Sequence, residues 1–209
     1  MVKVIANNFL SKDLIKRLLA NPNEECNCGI DFRETADAEW ITQFDPWLEF
    51  IDLCLSYRNQ IEADYDCDSS KLIDVWARRN EDVWNLEDHT QFHRENADIH
   101  KDYFAGFSKV VNLQVYISDD IPPEAGTCFW KYTGDNLQAD TIGGAGEVAT
   151  WPYDNWELDK QIPFEPNVAF TYNAGPDGYF HSAPTTEMLL DSQVPSHVRQ
   201  VIILRFRYE

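Results

Sequence analysis

The segment "NADIHKDYFAGFSKVVNLQVYIS", residues 96 to 118, places His100 two residues before Asp102 and then runs into a stretch of alternating polarity. On an extended backbone, side chains at i and i+2 face the same way about 7 Å apart. One metal ion can bridge an imidazole nitrogen and a carboxylate oxygen across that gap. An isolated H-x-D is more simply two solvated polar residues on an exposed strand, so the pair needs a third ligand. His181 is the candidate, in "NVAFTYNAGPDGYFHSAP", just past a strand-like run and a glycine-containing turn. "FHRENADIH" holds a second pair of the same kind, His93 and Glu95, whereas His89 and His197 have no partner at ligand spacing.

Two further runs bear on this chemistry. In "VVNLQVYIS", Val111, Leu113, Val115 and Ile117 form one face of a strand, and Asn112, Gln114, Tyr116 and Ser118 form the other. A sheet covered by helices would bury the aliphatic face there and turn the polar face inward. Such a face is costly unless it meets water, a metal or a polar ligand. In "RQVIILRFRY", Arg199, Val201, Ile203 and Arg205 share a face of a last core strand. An arginine at the start of such a strand suits bidentate capture of a carboxylate, although an ordinary surface salt bridge would explain it equally.

The ordered set "HKD", "NLQVYIS", "AGTCFW", "PNVAFTYN…YFHSAP" and "RQVIILRF" resembles the iron(II)/2-oxoglutarate-dependent dioxygenases, in the layout of the prolyl-4-hydroxylase-like branch. The likeness covers residues 96 to 207 well and the N-terminal third loosely, through "VIANNFLSKDLIKRLL". It implies iron(II) held by His100, Asp102 and His181, with 2-oxoglutarate as cosubstrate, O2 as oxidant and ascorbate as an option. It further implies that Arg199 and Tyr116 hold the far carboxylate of 2-oxoglutarate, with Asn112 and Gln114 around the metal-bound groups. It favours His100/Asp102 over His93/Glu95, because the family's core strand starts about ten residues after the acid and "VNLQVYIS" does so here. The separation of His181 from Arg199 is longer than the family's usual spacing, through "TTEMLLDSQVP", which leaves Arg205 as the second choice of clamp. The implied activity is hydroxylation of an amino-acid, peptide or small-metabolite substrate with release of succinate and CO2. The alternative is a catalytically idle jelly-roll protein that binds a metal or small ligand.

The elements that must position these residues read as one domain over residues 1–209. A strand and helices fill about 1–70, and a β core fills about 71–209. "VKVIANNF" opens as a strand. Ser11 can cap a helix striped by Leu14, Ile15, Leu18 and Leu19. Asp45 is a suitable N-cap, and Pro46 suits the first turn, of a second helix through "DPWLEFIDLCLSYRNQI", with Trp47, Phe50, Ile51, Cys54 and Leu55 on its core seam. "KLIDVWARR", "KVVNLQVYIS", "TCFWKYTG", "NVAFTYNAG" and "RQVIILRFRY" are strand-like runs. Helices followed by many strands predict a mainly β fold with flanking α-helices, in which a double-stranded β-helix, or jelly roll, is buttressed by the N-terminal helices. "TIGGAGE" lacks the following helix and Lys-Ser/Thr of a phosphate loop and reads as a hairpin tip.

Composition narrows the partners. Seven tryptophans in 209 residues and 13% aromatics belong to a packed core. Thirty-six acidic against seventeen basic residues give a formal charge of −19, a field that repels nucleic-acid phosphates. The expected partner is therefore a small molecule or peptide rather than nucleic acid or membrane. Five cysteines include one lone C-x-C, Cys26 and Cys28, without a second pair for a zinc site. "MVKVIANNFL" lacks the basic start and apolar run of a secretory signal, so a soluble, cytoplasmic protein is expected.

Overall fold

The computed structural model describes residues 1–29, 44–84, 99–102, 106–137, 141–142, 148–149, 154–184 and 197–209. His89, His93 and Glu95 lie outside the described residues. Among the described residues the chain is mainly β, with three α-helices: α1 (Lys12–Ala20), α2 (Asp45–Leu55) and α3 (Arg58–Tyr65). No described helix is long and apolar enough to cross a membrane.

The large sheet has six antiparallel strands. Their order is β1 (Val2–Ala6), β9 (Ala169–Asn173), β4 (Lys109–Tyr116), β11 (His197–Tyr208), β3 (Leu72–Trp84) and β2 (Glu25–Gly29). Both edges therefore come from the first 29 residues, so the N-terminal segment completes the β core as well as supplying helices. A smaller antiparallel sheet runs β10 (Phe180–Ser182), β5 (Thr127–Tyr132) and β8 (Trp156–Ile162). The short strands β6 (Thr141–Ile142) and β7 (Val148–Ala149) pair around the glycine-rich stretch, whose tip lies outside the described residues.

Alternation along the central strands separates two cores. Val111, Leu113 and Val115 of β4, with Ile202, Leu204 and Phe206 of β11, pack under Leu14, Leu18, Trp47, Phe50 and Ile51 of the helices. Tyr116, Val201 and Ile203, from the other face of the same strands, with Phe170 and Tyr172 of β9, pack against Phe129 and Ile162 of the small sheet. The central strands are thus covered on both faces, and β4 is buried along nearly its whole length.

The helices form where their signals stand, with two adjustments. Ser11 caps α1, its Oγ accepting the Leu14 amide at 3.1 Å. Asp45 is not the cap of α2: Phe44 holds that position without a side-chain hydrogen bond, and Asp45 is the first helical residue, beside Pro46. The expected single helix also stops at Leu55. The Ser56 hydroxyl donates to the Leu53 carbonyl at 2.6 Å and the Tyr57 amide to the Cys54 carbonyl at 3.0 Å, tightening the last turn before α3 begins. Cys54 and Cys26 are buried, and the side chain of Cys28 is outside what the structure describes.

Candidate metal and carboxylate site

The extended segment 99–102 runs beside β10. The His100 amide donates to the His181 carbonyl at 3.0 Å and the His181 amide to the His100 carbonyl at 2.9 Å, one antiparallel bridge. A directly opposed pair of this kind sends both side chains to the same face of the sheet. The next amide but one, of Asp102, donates to Ala174 beyond the end of β9 at 2.8 Å. The segment therefore closes the gap between the two sheets, and its own alternation sorts the residues. Ile99 is buried with Trp156 and Phe180 on the outer side, and the Lys101 ammonium lies 4.5 Å from the centre of the Phe180 ring. His100 and Asp102 turn inward.

A glycine sets the far ligand. The turn between β9 and β10 is closed by the Tyr179 amide on the Asn173 carbonyl at 2.8 Å. A Cβ on Gly178 would sit 2.2 Å from that carbonyl oxygen, so the turn that delivers His181 admits only glycine in this form.

His100, Asp102 and His181 each offer a ligand atom, and these atoms lie within 4.8 Å of one another. Nε2 of His100 is 4.0 Å from Asp102 Oδ1, and Nε2 of His181 is 3.9 Å from Oδ2. The two imidazole rings are 4.5 Å apart. Nδ1 of His181 faces the Tyr179 carbonyl at 3.3 Å; a carbonyl only accepts, so the proton sits on Nδ1 and leaves the Nε2 lone pair inward. Burial, and then the neighbouring His100, push the His181 imidazole down to about 3, so it is neutral near pH 7. Burial alone would raise the Asp102 carboxyl, but Arg205, His181 and His100, with the Asn112 bond, together hold it well below the usual carboxylate range. Two imidazoles, that of His181 neutral, and one ionised carboxylate facing a common point fit a divalent transition metal with open positions left for other ligands.

The two histidines line an open-mouthed recess. Its walls include Gln114, Thr127 and Tyr172, and Arg199 and Arg205 both face it. Arg199 is 3% exposed; its Nε donates to the Ala125 carbonyl and its Nη2 to Thr127 Oγ1, both at 2.9 Å. Arg205 instead lies on Asp102, with Nε 3.2 Å from Oδ2 and Nη2 3.4 Å from Oδ1, and its guanidinium is 4.9 Å from the Trp76 ring centre. The second-choice clamp is thus engaged with the candidate metal carboxylate.

The polar face of β4 is buried and linked by hydrogen bonds, with Asn112 Oδ1 left without a partner among the described residues. Asn112 Nδ2 donates to Asp102 at 2.8 Å and to the Tyr172 hydroxyl at 3.0 Å. Tyr172 donates to Gln114 Oε1 at 3.1 Å, and Gln114 Nε2 to Thr127 Oγ1 at 2.8 Å. Thr127 Oγ1 also receives Arg199, so a continuous chain of hydrogen bonds joins Asp102 to Arg199.

Tyr116 is engaged within the protein. Its hydroxyl accepts the Thr127 amide at 2.8 Å, contacts Thr127 Oγ1 at 3.1 Å and donates to the Ile162 carbonyl at 2.9 Å. Both lone pairs of Thr127 Oγ1 are taken by Gln114 and Arg199, so the hydroxyl–hydroxyl contact uses the threonine proton. The one proton of Tyr116 goes to Ile162, and none is left for a ligand carboxylate. Tyr116 faces inward, as its alternation requires, but it ties β4 to the small sheet. Thr127 carries no signal in the sequence, where a threonine at the head of "TCFWKY" looks like any strand residue.

No family model matches the chain, and no curated protein matches its sequence. Among solved structures it is similar to a viral collagen prolyl hydroxylase from Paramecium Bursaria Chlorella virus-1, crystallised as its 2OG complex. The identity is 12% and the TM-score 0.42, over 100% of this chain and 96% of that one. A likeness that distant carries no weight on the question of activity, for which the geometry of the site has to speak.

Proposed function

We propose that the protein is an iron(II)- and 2-oxoglutarate-dependent oxygenase that hydroxylates an amino-acid, peptide or small-metabolite substrate and releases succinate and CO2. The observation that carries this reading is the recess itself, lined by His100 and His181, which stand about Asp102, and by the buried Arg199. Iron(II) with 2-oxoglutarate and O2 would supply the oxidising chemistry. The chain's own residues do the rest. His100 and His181 present their Nε2 atoms, and Asp102 presents an ionised oxygen set in place by Asn112. Arg199, fixed by Ala125 and Thr127, offers a cation for the far carboxylate of a five-carbon diacid. Val201, Ile203 and Tyr172 add apolar surface to the lining, which suits the methylenes of such a diacid. Gln114 spans the space between metal and clamp.

Strand order supports a jelly roll beneath this site. The chain passes from β4 in the large sheet to β5 and β8 in the small one, back to β9, across to β10 and back to β11. The two sheets face each other, and the recess lies between them.

The test is anaerobic metal binding followed by succinate release from 2-oxoglutarate. The wild-type chain should bind one iron(II). His100→Ala and His181→Ala should lose both binding and turnover, whereas Arg199→Ala should keep the metal and raise the KM for 2-oxoglutarate at least tenfold. Removing one partner of a buried charge pair costs about 2–5 kcal/mol. Full turnover in His100→Ala or His181→Ala would remove this assignment. Metal-dependent 2-oxoglutarate binding without succinate, across a panel of peptides and metabolites, would favour the idle binding protein.

A further inference from the structure

One side of the recess takes no part in that scheme. Its wall on β11 is Val201, Ile203 and Arg205, and the residues paired with these on β3 are Asn80, Arg78 and Trp76. Val75 and Ala77 of β3 are in the core beneath the helices, so by alternation Trp76, Arg78 and Asn80 share the face that carries the recess. The Arg205 guanidinium, 4.9 Å from the Trp76 ring centre, marks that face. Strands in a sheet lie about 4.8 Å apart, so the three residues form a row one strand outside the wall. Among the described residues, the core between the two sheets contains no residue of β3, and Arg78 in the middle of the row is exposed.

Two members of the row can meet a ligand. Asn80 is half-buried and lines the recess, and its Oδ1 is buried with no hydrogen-bond partner among the described residues. A buried acceptor left in that state is unfavourable until a donor reaches it. 2-Oxoglutarate, a dianion with a keto group, carries acceptors only and cannot be that donor. Arg78 stands two residues along the strand, about 7 Å away on the same face. Glu25 of β2 lies opposite Arg78, on the side away from the recess. A molecule leaning out of the recess over β3 therefore meets a hydrogen-bond acceptor first and a cation beside it.

Resting on the function proposed above, we infer that the substrate is an acidic amino acid, free or within a peptide, whose N–H donates to Asn80 Oδ1 and whose carboxylate is held by Arg78. The long arginine side chain gives the reach to bring both contacts onto one residue. The same cation repels a basic side chain, so the row discriminates as well as binds.

The experiment is calorimetric titration of the protein, loaded with manganese(II) and saturating 2-oxoglutarate, with free glutamate, free lysine, and the N-acetyl methylamides of both. Released 2-oxoglutarate is followed by NMR, which detects an acidic probe that merely takes the cosubstrate's place. Wild type should prefer each glutamate probe to its lysine counterpart, without releasing 2-oxoglutarate. Tighter binding of the blocked form assigns a peptide substrate, and of the free form an amino acid. Because Arg78 is exposed, Arg78→Ala should weaken the glutamate probe by only about threefold to fivefold. Arg78→Lys should keep the preference and Arg78→Glu reverse it, which a residue of purely structural role would not do. Asn80→Leu should weaken the glutamate probe by about fivefold, as loss of one hydrogen bond predicts, with manganese affinity unchanged. No probe bound by the loaded wild type, displacement of 2-oxoglutarate, an unchanged preference in Arg78→Glu, or full affinity in Asn80→Leu overturns this inference and leaves the proposed function in place. Failure of wild type to bind manganese(II) and 2-oxoglutarate overturns the function itself.

Discussion

Thr127 and Tyr116 show how much depends on where single protons go. Counting donors and acceptors assigns the Tyr116 proton to the Ile162 carbonyl and the Thr127 amide to the Tyr116 oxygen. Tyr116→Phe therefore strands two buried main-chain groups, and each such loss costs about 1–3 kcal/mol. The variant should melt several degrees below wild type, yet show the same rise in Tm on adding manganese(II) and 2-oxoglutarate. A normal melt with a diminished ligand shift would return Tyr116 to the cosubstrate. Burial raises the phenol's pKa, Arg199 and the Thr127 bonds only partly opposing it, so the hydroxyl enters these bonds neutral. At this scale the sequence is informative about residue types and directions. His100 and Asp102 share a face because i and i+2 must, and Asn112, Gln114 and Tyr116 turn inward for the same reason. What each polar group bonds to is not legible there, because Thr127, Ile162 and Asp102 lie outside β4 and are brought to it by how the chain turns, which alternation does not encode.

Elements are legible in proportion to their periodicity. β4 and β11 alternate cleanly because each face meets a different core, and both stand out in the sequence. β8 does not: between Trp156 and Ile162 it is mostly exposed, and "WELDKQI" shows no alternation. β2 escapes notice because "ECNCG" is short and carries little of strand character. The single helix expected from residue 45 breaks because Ser56 bonds back to its own turn, a local competition that hydrophobic spacing does not register. The β9–β10 turn is legible as a glycine turn, but not as a device that fixes His181. Gly178→Ala puts a methyl group against the Asn173 carbonyl, a clash that only a main-chain shift relieves. Overpacking of this kind costs about 1–3 kcal/mol. The variant should melt lower and bind manganese(II) more weakly than the loss of stability alone explains, since His181 lies three residues on. Wild-type metal affinity in a folded Gly178→Ala would show that the turn adjusts without moving the ligand.

Over the whole molecule the charge runs opposite to the site. The chain carries −19, while the recess is lined by Arg199 and Arg205. A dianion approaching from solvent meets repulsion at long range and attraction at close range, and ionic strength separates the two. The Debye length is about 30 Å at 0.01 M salt and about 10 Å at 0.1 M. At low salt the ligand therefore senses most of the acidic surface; near physiological salt it senses chiefly the mouth. Buried guanidinium contacts are screened much less, so they persist in both conditions. Association of 2-oxoglutarate with the manganese-loaded protein should accordingly speed up as sodium chloride rises from about 10 to about 150 mM, with dissociation nearly constant. Stopped-flow intrinsic tryptophan fluorescence, with Trp76 4.9 Å from the Arg205 guanidinium, reads both rates. An association rate that falls with salt would mean that the cationic recess dominates the field even at a distance. The acidic surface would then serve solubility without gating the ligand.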